Sequence, residues 1–245
     1  MDSYICAAAC RALGAIGDPQ AIPHLIQALQ DESGWVRRAA CEALGRIGDP
    51  QAIPHLIQAL QDEEVRSAAC EALGRIGDPQ AIPHLAQALQ DEYRWARRAA
   101  CEALGKIGDL QAIPHLVQAL KDEDSGVRCA ACRALGKIGD AQAIPHLVQA
   151  LKDRDKDVRW AACATLGEIG DPQAIPHLIQ ALQDEDRGVR EAAYGALGRI
   201  GDPQTIPHLV QALQDKHIGV RWAACEALWQ ISVRNKLQIR ESSPM

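Results

Sequence analysis

A Gly-Asp pair recurs through the chain at steps of 31 residues, with one step of 29, and no other feature constrains the fold as strongly. From Asp18 the unit reads DPQAIPHLIQALQDESGWVRRAACEALGRIG, and six near-copies follow. Periods of about 20–50 residues are typical of stacked repeats, in which no unit can bury its apolar face alone. We therefore expect a tandem array. It has a half unit at residues 1–17 and full units beginning at residues 18, 49, 78, 109, 140, 171 and 202.

Each unit is predicted to contain two helices. Asp18 is a good N-cap, and Pro23 fits only a first helical turn, where its missing N–H costs little. This short helix, the A helix, is expected to end near Gln30. The longer B helix of the same unit is predicted from Gly34 to Ile47, because Gly48 supplies a left-handed C-terminal stop.

On the B helix, small and apolar residues recur at helical spacing and predict one buried stripe (Val36, Ala40, Leu44 and Ile47). Stability must then come from stacking on the neighbouring unit. The predicted fold is an all-α, right-handed α-solenoid (superhelix) of about seven and a half two-helix repeats, with fifteen helices. It forms one domain over residues 1–232, followed by a polar C-terminal tail at residues 233–245.

Composition narrows the possible functions. The 245 residues include no Phe, and the formal net charge is −6, which argues against general binding of polyanions such as nucleic acids. No signal peptide is recognisable, and no apolar run approaches the roughly 20 residues that span a bilayer. We expect a soluble cytoplasmic protein that does not enter the membrane.

Four features carry a family resemblance: the Gly-Asp boundary, the A-I-P-x-L-I-x-A-L helix, the Asp followed by Val-Arg, and the A-L-G-x-I-G ending. Over residues 5–231 the chain resembles the short HEAT-like repeat of the bilin lyase subunits of phycobilisomes, and also artificial HEAT-like repeat scaffolds. The resemblance implies that the B helices line a concave groove. It carries little information about activity, because one fold hosts many functions.

Comparison of the copies within the chain shows where they differ. The A helix hardly varies, whereas the B helix varies at four places on its predicted solvent face, occupied in the first unit by Trp35, Arg38, Glu42 and Arg46. We call this set of positions the B-strip and number them first to fourth. Four of the five Trp residues fall on it, and Trp and Arg dominate binding hot spots. The candidate protein-binding residues are Trp35, Arg38, Glu42, Arg46, Trp95, Arg98, Arg133, Trp160, Glu191 and Trp222.

Three further ladders have structural interpretations. Seven His residues, beginning with His24, repeat on the A helix, but stacked helices lie ~8–10 Å apart and successive rungs cannot share a metal ion. Seven Cys residues, beginning with Cys10, share one B-helix position expected to face the neighbouring repeat. Seven Arg residues, beginning with Arg37, are expected to bond loop carboxylates and carbonyls between units. Cys6 replaces this Arg in the half unit, as if the Arg gripped an earlier repeat.

These patterns predict a non-catalytic protein-binding scaffold, with no enzyme activity, no catalytic residues, no metal and no cofactor, whose partner is a protein or peptide. One alternative is a bilin-lyase-like, tetrapyrrole-binding enzyme or chaperone subunit. Another is a self-assembling or designed repeat scaffold without a native ligand. The half unit lacks a polar cap over Ile5, Leu13 and Ile16, which predicts a homo-oligomer through the N-terminal end.

Overall fold

The computed structural model describes the backbone of residues 2–242 and the side chains of residues 2–234. The described residues form fifteen α-helices joined by short turns, with no strands, so the fold is an all-α solenoid of two-helix repeats. The A helices are α2 (Ile22–Ala28), α4 (Ile53–Ala59), α6 (Ile82–Ala88), α8 (Ile113–Ala119), α10 (Ile144–Ala150), α12 (Ile175–Ala181) and α14 (Ile206–Ala212). The B helices are α1 (Ser3–Ile16), α3 (Gly34–Ile47), α5 (Arg66–Ile76), α7 (Arg94–Ile107), α9 (Ser125–Ile138), α11 (Lys156–Ile169), α13 (Arg187–Ile200) and α15 (Ile218–Ser242).

The A helix begins as predicted and ends earlier. The Asp18 carboxylate accepts a hydrogen bond from the Gln20 N–H at 2.9 Å and starts a 3₁₀ turn that leads into α2. At the other end, Gln30 N–H donates to the Gln27 carbonyl, three residues back, at 3.1 Å. This tightening replaces the last α-helical turn, so α2 ends at Ala28 rather than near Gln30.

The first complete B helix has the predicted bounds. α3 runs from Gly34 to Ile47, and Gly48 follows with φ of 77°, a left-handed conformation that favours glycine. Val36 and Leu44 are buried, whereas Ile47 is half-buried. The stripe predicted from the sequence is therefore the core face of the helix.

The chain divides into two compact units after Ile138, and each unit has its own packed layers. Within each unit, successive B helices approach so closely that one glycine per helix lies against an alanine of the next. A Cβ built at Gly74 would lie only 2.7 Å from the Cα of Ala103. Close approach of the B helices through small residues sets the register of the repeats.

The Arg ladder connects consecutive repeats within each unit. The Arg97 guanidinium donates to both oxygens of Asp122, at 2.7 and 2.8 Å, and to the Asp91 and Glu92 carbonyls of its own loop, at 2.9 and 3.1 Å. The hydrogen bonds to the Asp122 carboxylate raise the pKa of Arg97. The predicted bonding is confirmed, but the carboxylate belongs to the following repeat. The idea that Cys6 lacks an earlier repeat to grip is therefore wrong, because the Arg reaches forward.

The prediction of one domain over residues 1–232 with a polar tail at 233–245 stays a prediction. The helix α15 continues to Ser242, and residues 243–245 lie outside the described part of the chain. Among the described residues, no helix combines the length and the apolar character needed to cross a membrane. The cytoplasmic location stays a prediction.

Candidate functional site

All four Trp side chains of the predicted B-strip are exposed to solvent. The exposed fraction is 71% for Trp35, 59% for Trp95, 42% for Trp160 and 71% for Trp222. Arg38, Arg46, Arg98 and Arg133 are exposed as well, whereas Glu42 and Glu191 are half-buried. The ten candidate residues therefore lie on the solvent side of their B helices, opposite the core stripe.

In the first unit, α1 and α3 form a cleft on this surface with a volume of about 290 Å³. It brings together Trp35, Arg38 and Glu42 of the predicted set, with Ala39 beneath them and Arg11 from the preceding helix. Arg38 donates to the Glu42 carboxylate at 3.2 Å. Arg11 was missed from the sequence, although alignment of the half unit places it at the third strip position. Arg46 is not among the residues that line this cleft.

The strip residues of α7 repeat this arrangement with one addition. Arg98 donates to Glu102 at 2.9 Å, as Arg38 does to Glu42. The Arg94 guanidinium lies over the Trp95 ring, 4.8 Å from its centroid, in cation–π contact. Arg94 and Glu102 were not among the candidates. Arg133, on α9, stands on the same face and is exposed.

In the second unit, Trp160 and Trp222 sit at the second strip position, and the first positions of α13 and α15 hold glycine. A Cβ built at Gly188, at the first position of α13, would lie 3.8 Å from Trp160 Cδ1. A Cβ at Gly219 would lie 2.0 Å from the Glu191 carboxylate, which also accepts a hydrogen bond from Arg187 at 2.7 Å. Trp160 would therefore tolerate a methyl group at the first position of the next helix, whereas a methyl group at Gly219 would displace the Glu191 carboxylate.

In the first unit, the Trp residues and the small residues exchange strip positions. Trp35 and Trp95 occupy the first position, and the helices before them carry Ala7 and Ser67 at the second. Trp35, Trp95 and Trp160 are thus each aligned with a small residue of the adjacent B helix.

The Cys and His ladders occupy other faces. Six Cys rungs, at residues 10, 41, 70, 101, 132 and 163, are buried, and burial raises the pKa of the Cys41 thiol to about 12. Such thiols are protonated and act as small apolar side chains at neutral pH. Six of the seven ladder His residues are exposed on the A helices, and His146 is half-buried. Among the described side chains, no group of three or more metal-binding residues comes together.

Tyr194 stands where the other B helices carry Cys, and its surroundings differ from those of the Cys residues. Tyr194 is buried, and the Nε of Arg190 lies 3.9 Å from Asp215, whereas the equivalent Arg159–Asp184 distance is 2.7 Å. The cleft between α12 and α14 measures about 930 Å³, against about 320 Å³ between α10 and α12. The larger cleft is the one lined by Tyr194, whose phenol ring takes the place of a smaller thiol. The sequence identified the substitution but not this opening.

Comparison with known proteins agrees with the geometry. The HEAT-repeat family matches residues 1–65, 61–99, 87–155 and 144–229. No curated protein matches the chain. The complex of CpcE and CpcF of phycocyanin lyase from Nostoc sp. PCC7120 is similar, with 27% identity over 83% of this chain and 85% of that chain and a TM-score of 0.55.

Two further solved structures share the fold. An engineered protein is 24% identical over 95% of this chain and 76% of its own, with a TM-score of 0.54. YibA of Escherichia coli is 22% identical over 91% of this chain and 85% of its own, with a TM-score of 0.62. The resemblance to bilin lyase subunits and to artificial repeat scaffolds is therefore confirmed.

The prediction that the chain has no enzyme activity is contradicted. A similar structure belongs to phycocyanin lyase, an enzyme, and a solenoid of this kind can therefore be part of a catalytic protein. The prediction was wrong because a repeat fold and an exposed aromatic strip do not determine activity: one fold hosts both enzymes and binding proteins. Because its family match extends over residues 1–229, the chain belongs to the family of HEAT-repeat proteins.

Proposed function

We propose that the chain is a scaffold that grips a protein or peptide partner with the B-strip. The observation that carries this proposal is the exposure of Trp35, Trp95, Trp160 and Trp222 on one set of helix positions. A chain without Phe has placed most of its large aromatic surface where it contributes little to its own core. Exposed aromatic side chains grouped on one face are typical of an interaction surface.

The arginines of the B-strip can exchange their ion pairs within the chain for contacts with a bound protein. Arg38 and Arg98 are held by single i,i+4 contacts with glutamates on the surface of the same helix. Exposed pairs of this kind contribute only about 0–1 kcal/mol. A carboxylate of the bound partner can therefore replace the glutamate at either guanidinium with little loss of free energy. In the first unit, Arg38 and Trp35 line the same cleft, and the contact with Glu42 orients the Arg38 guanidinium there.

Differential capture from the source lysate tests the proposal. The variant replaces the four strip Trp residues by Ala, and its matched control replaces four exposed A-helix residues by Ala: His55, His84, His115 and His177. We expect wild type and the His variant to capture the same protein. The Trp variant should lose at least about 2 kcal/mol of binding free energy and therefore retain much less of that protein. Equal capture by the Trp variant would show that the B-strip is not the binding surface.

A second candidate is binding of a bilin, as in the lyase that the fold resembles. The 27% identity to the CpcE–CpcF complex over most of both chains favours it. Trp and Arg side chains on the B-strip would hold the aromatic rings and the propionates of a tetrapyrrole. Titration with a bilin, followed by absorbance, should then shift the visible band in wild type and not in the four-Trp variant. An unshifted band with wild type rules this candidate out.

A further inference from the structure

The net charge of the first unit and the net charge of its B-strip have opposite signs. Residues 1–138 contain 14 Lys and Arg against 18 Asp and Glu, a net charge of −4. The B-strip of this unit carries eight cations against four glutamates, a net charge of +4. The cations are Arg11, Arg38, Arg46, Arg75, Arg98, Lys106, Arg133 and Lys137, and the glutamates are Glu42, Glu64, Glu71 and Glu102.

The positive charge of this strip is accessible. All eight cations are exposed, whereas Glu42, Glu71 and Glu102 are half-buried. The fourth glutamate, Glu64, is exposed but is paired with Arg37 at 2.8 Å. Three of the cations have glutamate partners, as in the Arg75–Glu71 pair at 3.6 Å. The other five (Arg11, Arg46, Lys106, Arg133 and Lys137) form no ion pair with any described residue. In contrast, the ladder residues Arg37, Arg66 and Arg97 are paired with loop carboxylates.

The strip of the second unit has the opposite sign. It carries Asp157, Glu168, Glu191 and Glu226 against one cation, Arg199, a net charge of −3. Both strips nevertheless contain two Trp residues. The positive charge is therefore a property of the first unit's strip and not of the repeat, since the same positions accept acidic residues elsewhere in the chain.

From this sorting we infer that the B-strip of the first unit binds an acidic, extended protein segment. The inference rests on the proposed function and names the chemistry of its partner. Opposite charges steer association and fix its register. Carboxylates of the segment meet the unpaired cations, and its apolar side chains cover the rings of Trp35 and Trp95, which are more than half exposed.

The spacing of the repeats sets the pattern of the segment. Stacked helices lie roughly 8–10 Å apart, and an extended chain in the polyproline II conformation advances about 3.1 Å per residue with three residues per turn, so one rung corresponds to about three residues. The five B helices of the first unit then match about 12 residues with an acidic residue at every third position, all on one face of the segment. An α-helical partner advances only about 1.5 Å per residue, so its acidic residues would have to recur at about every sixth position, and these do not share one face of a helix.

The same surface is poorly suited to nucleic acid. The exposed Glu32, Glu63 and Glu92 lie in the loops that lead into α3, α5 and α7. A polyanion with a phosphate at every nucleotide would meet these carboxylates as well as the cations. A segment with one carboxylate in three residues can bond the cations and present neutral residues between them.

A direct binding measurement on the full chain tests the inference. The probe is a 12-residue peptide of four Glu-Ser-Leu units, followed by fluorescence anisotropy, beside a peptide of four Lys-Ser-Leu units and a 12-nucleotide oligouridine. The strip variant carries Arg46→Glu, Lys106→Glu and Lys137→Glu. Its control carries the same charge change at exposed residues outside the strip: Lys121→Glu, Lys152→Glu and Lys216→Glu.

We expect the Glu peptide to bind wild type, with a Kd raised about 30-fold in the strip variant and less than about threefold in the control. A Glu peptide that does not bind, a Lys peptide that binds equally, or an oligouridine that binds more tightly would overturn the inference. The four-Trp capture experiment separates the two claims. If capture depends on the Trp residues and the Glu peptide fails, only the acidic chemistry of the partner is wrong.

Discussion

Replacing Arg97 by Ala is expected to lower the free energy of unfolding by about 3–5 kcal/mol, measured by urea denaturation. The Arg97 side chain is 8% exposed and the side chain of its partner Asp122 is 11% exposed. The substitution removes two hydrogen bonds to that carboxylate and two to loop carbonyls, and it leaves a charge in a partly dehydrated site.

The chain contains a matched control for this effect. Arg190 makes the same two bonds to loop carbonyls, to Asp184 and Glu185, at 2.8 and 3.1 Å, but its Nε lies 3.9 Å from Asp215. Arg190→Ala should therefore cost only about 2 kcal/mol, the value of two ordinary hydrogen bonds. Equal losses for the two variants would contradict the view that the forward carboxylate carries most of the coupling between repeats.

Gly167→Ala is expected to destabilise the second unit by about 2–3 kcal/mol. The new Cβ would lie 2.6 Å from the Cα of Ala196 and 2.7 Å from its Cβ, so α11 and α13 must separate. Backbone atoms of a packed helix cannot move aside as a flexible side chain can. Thermal or urea unfolding of the full chain measures the loss.

Gly195→Ala is the control, since it makes the same chemical change in a neighbouring B helix. A Cβ built at Gly195 would point into open space, with no side chain or neighbouring helix within 4 Å. Alanine is favoured over glycine inside a helix by about 0.5–1 kcal/mol, so this variant should be more stable than wild type. If both substitutions stabilised the chain, the close approach of B helices would not be a packing constraint.

Much of the fold could be predicted from the sequence because each repeat carries its own local signals. Asp18, Pro23 and Gly48 act on their immediate neighbours, and such signals fix helix ends without knowledge of the tertiary structure. The exposed B-strip followed equally directly, because positions that vary among copies are those that no neighbouring repeat constrains. The seven copies within this one chain show directly which positions vary.

What could not be predicted depends on contacts between repeats. The Arg97 fork reaches forward to Asp122 because of the offset between stacked helices, which no single repeat encodes. The large cleft beside Tyr194 depends on how two A helices pack around a larger ring. Arg11 belongs to the Trp35 cleft through the contact of α1 with α3, and a half unit gave little reason to include it.

The central claim, that the B-strip is the surface that holds the partner, is tested most directly by site-specific photo-crosslinking in source cells. A benzoylphenylalanine is placed at Arg38 or Arg98 on the strip, and at His84 or His115 on the A helices, all exposed positions. We predict a crosslinked protein band from the strip positions and none from the A-helix positions. A band that arises from the A-helix positions alone would contradict the account and move the binding surface to the opposite layer.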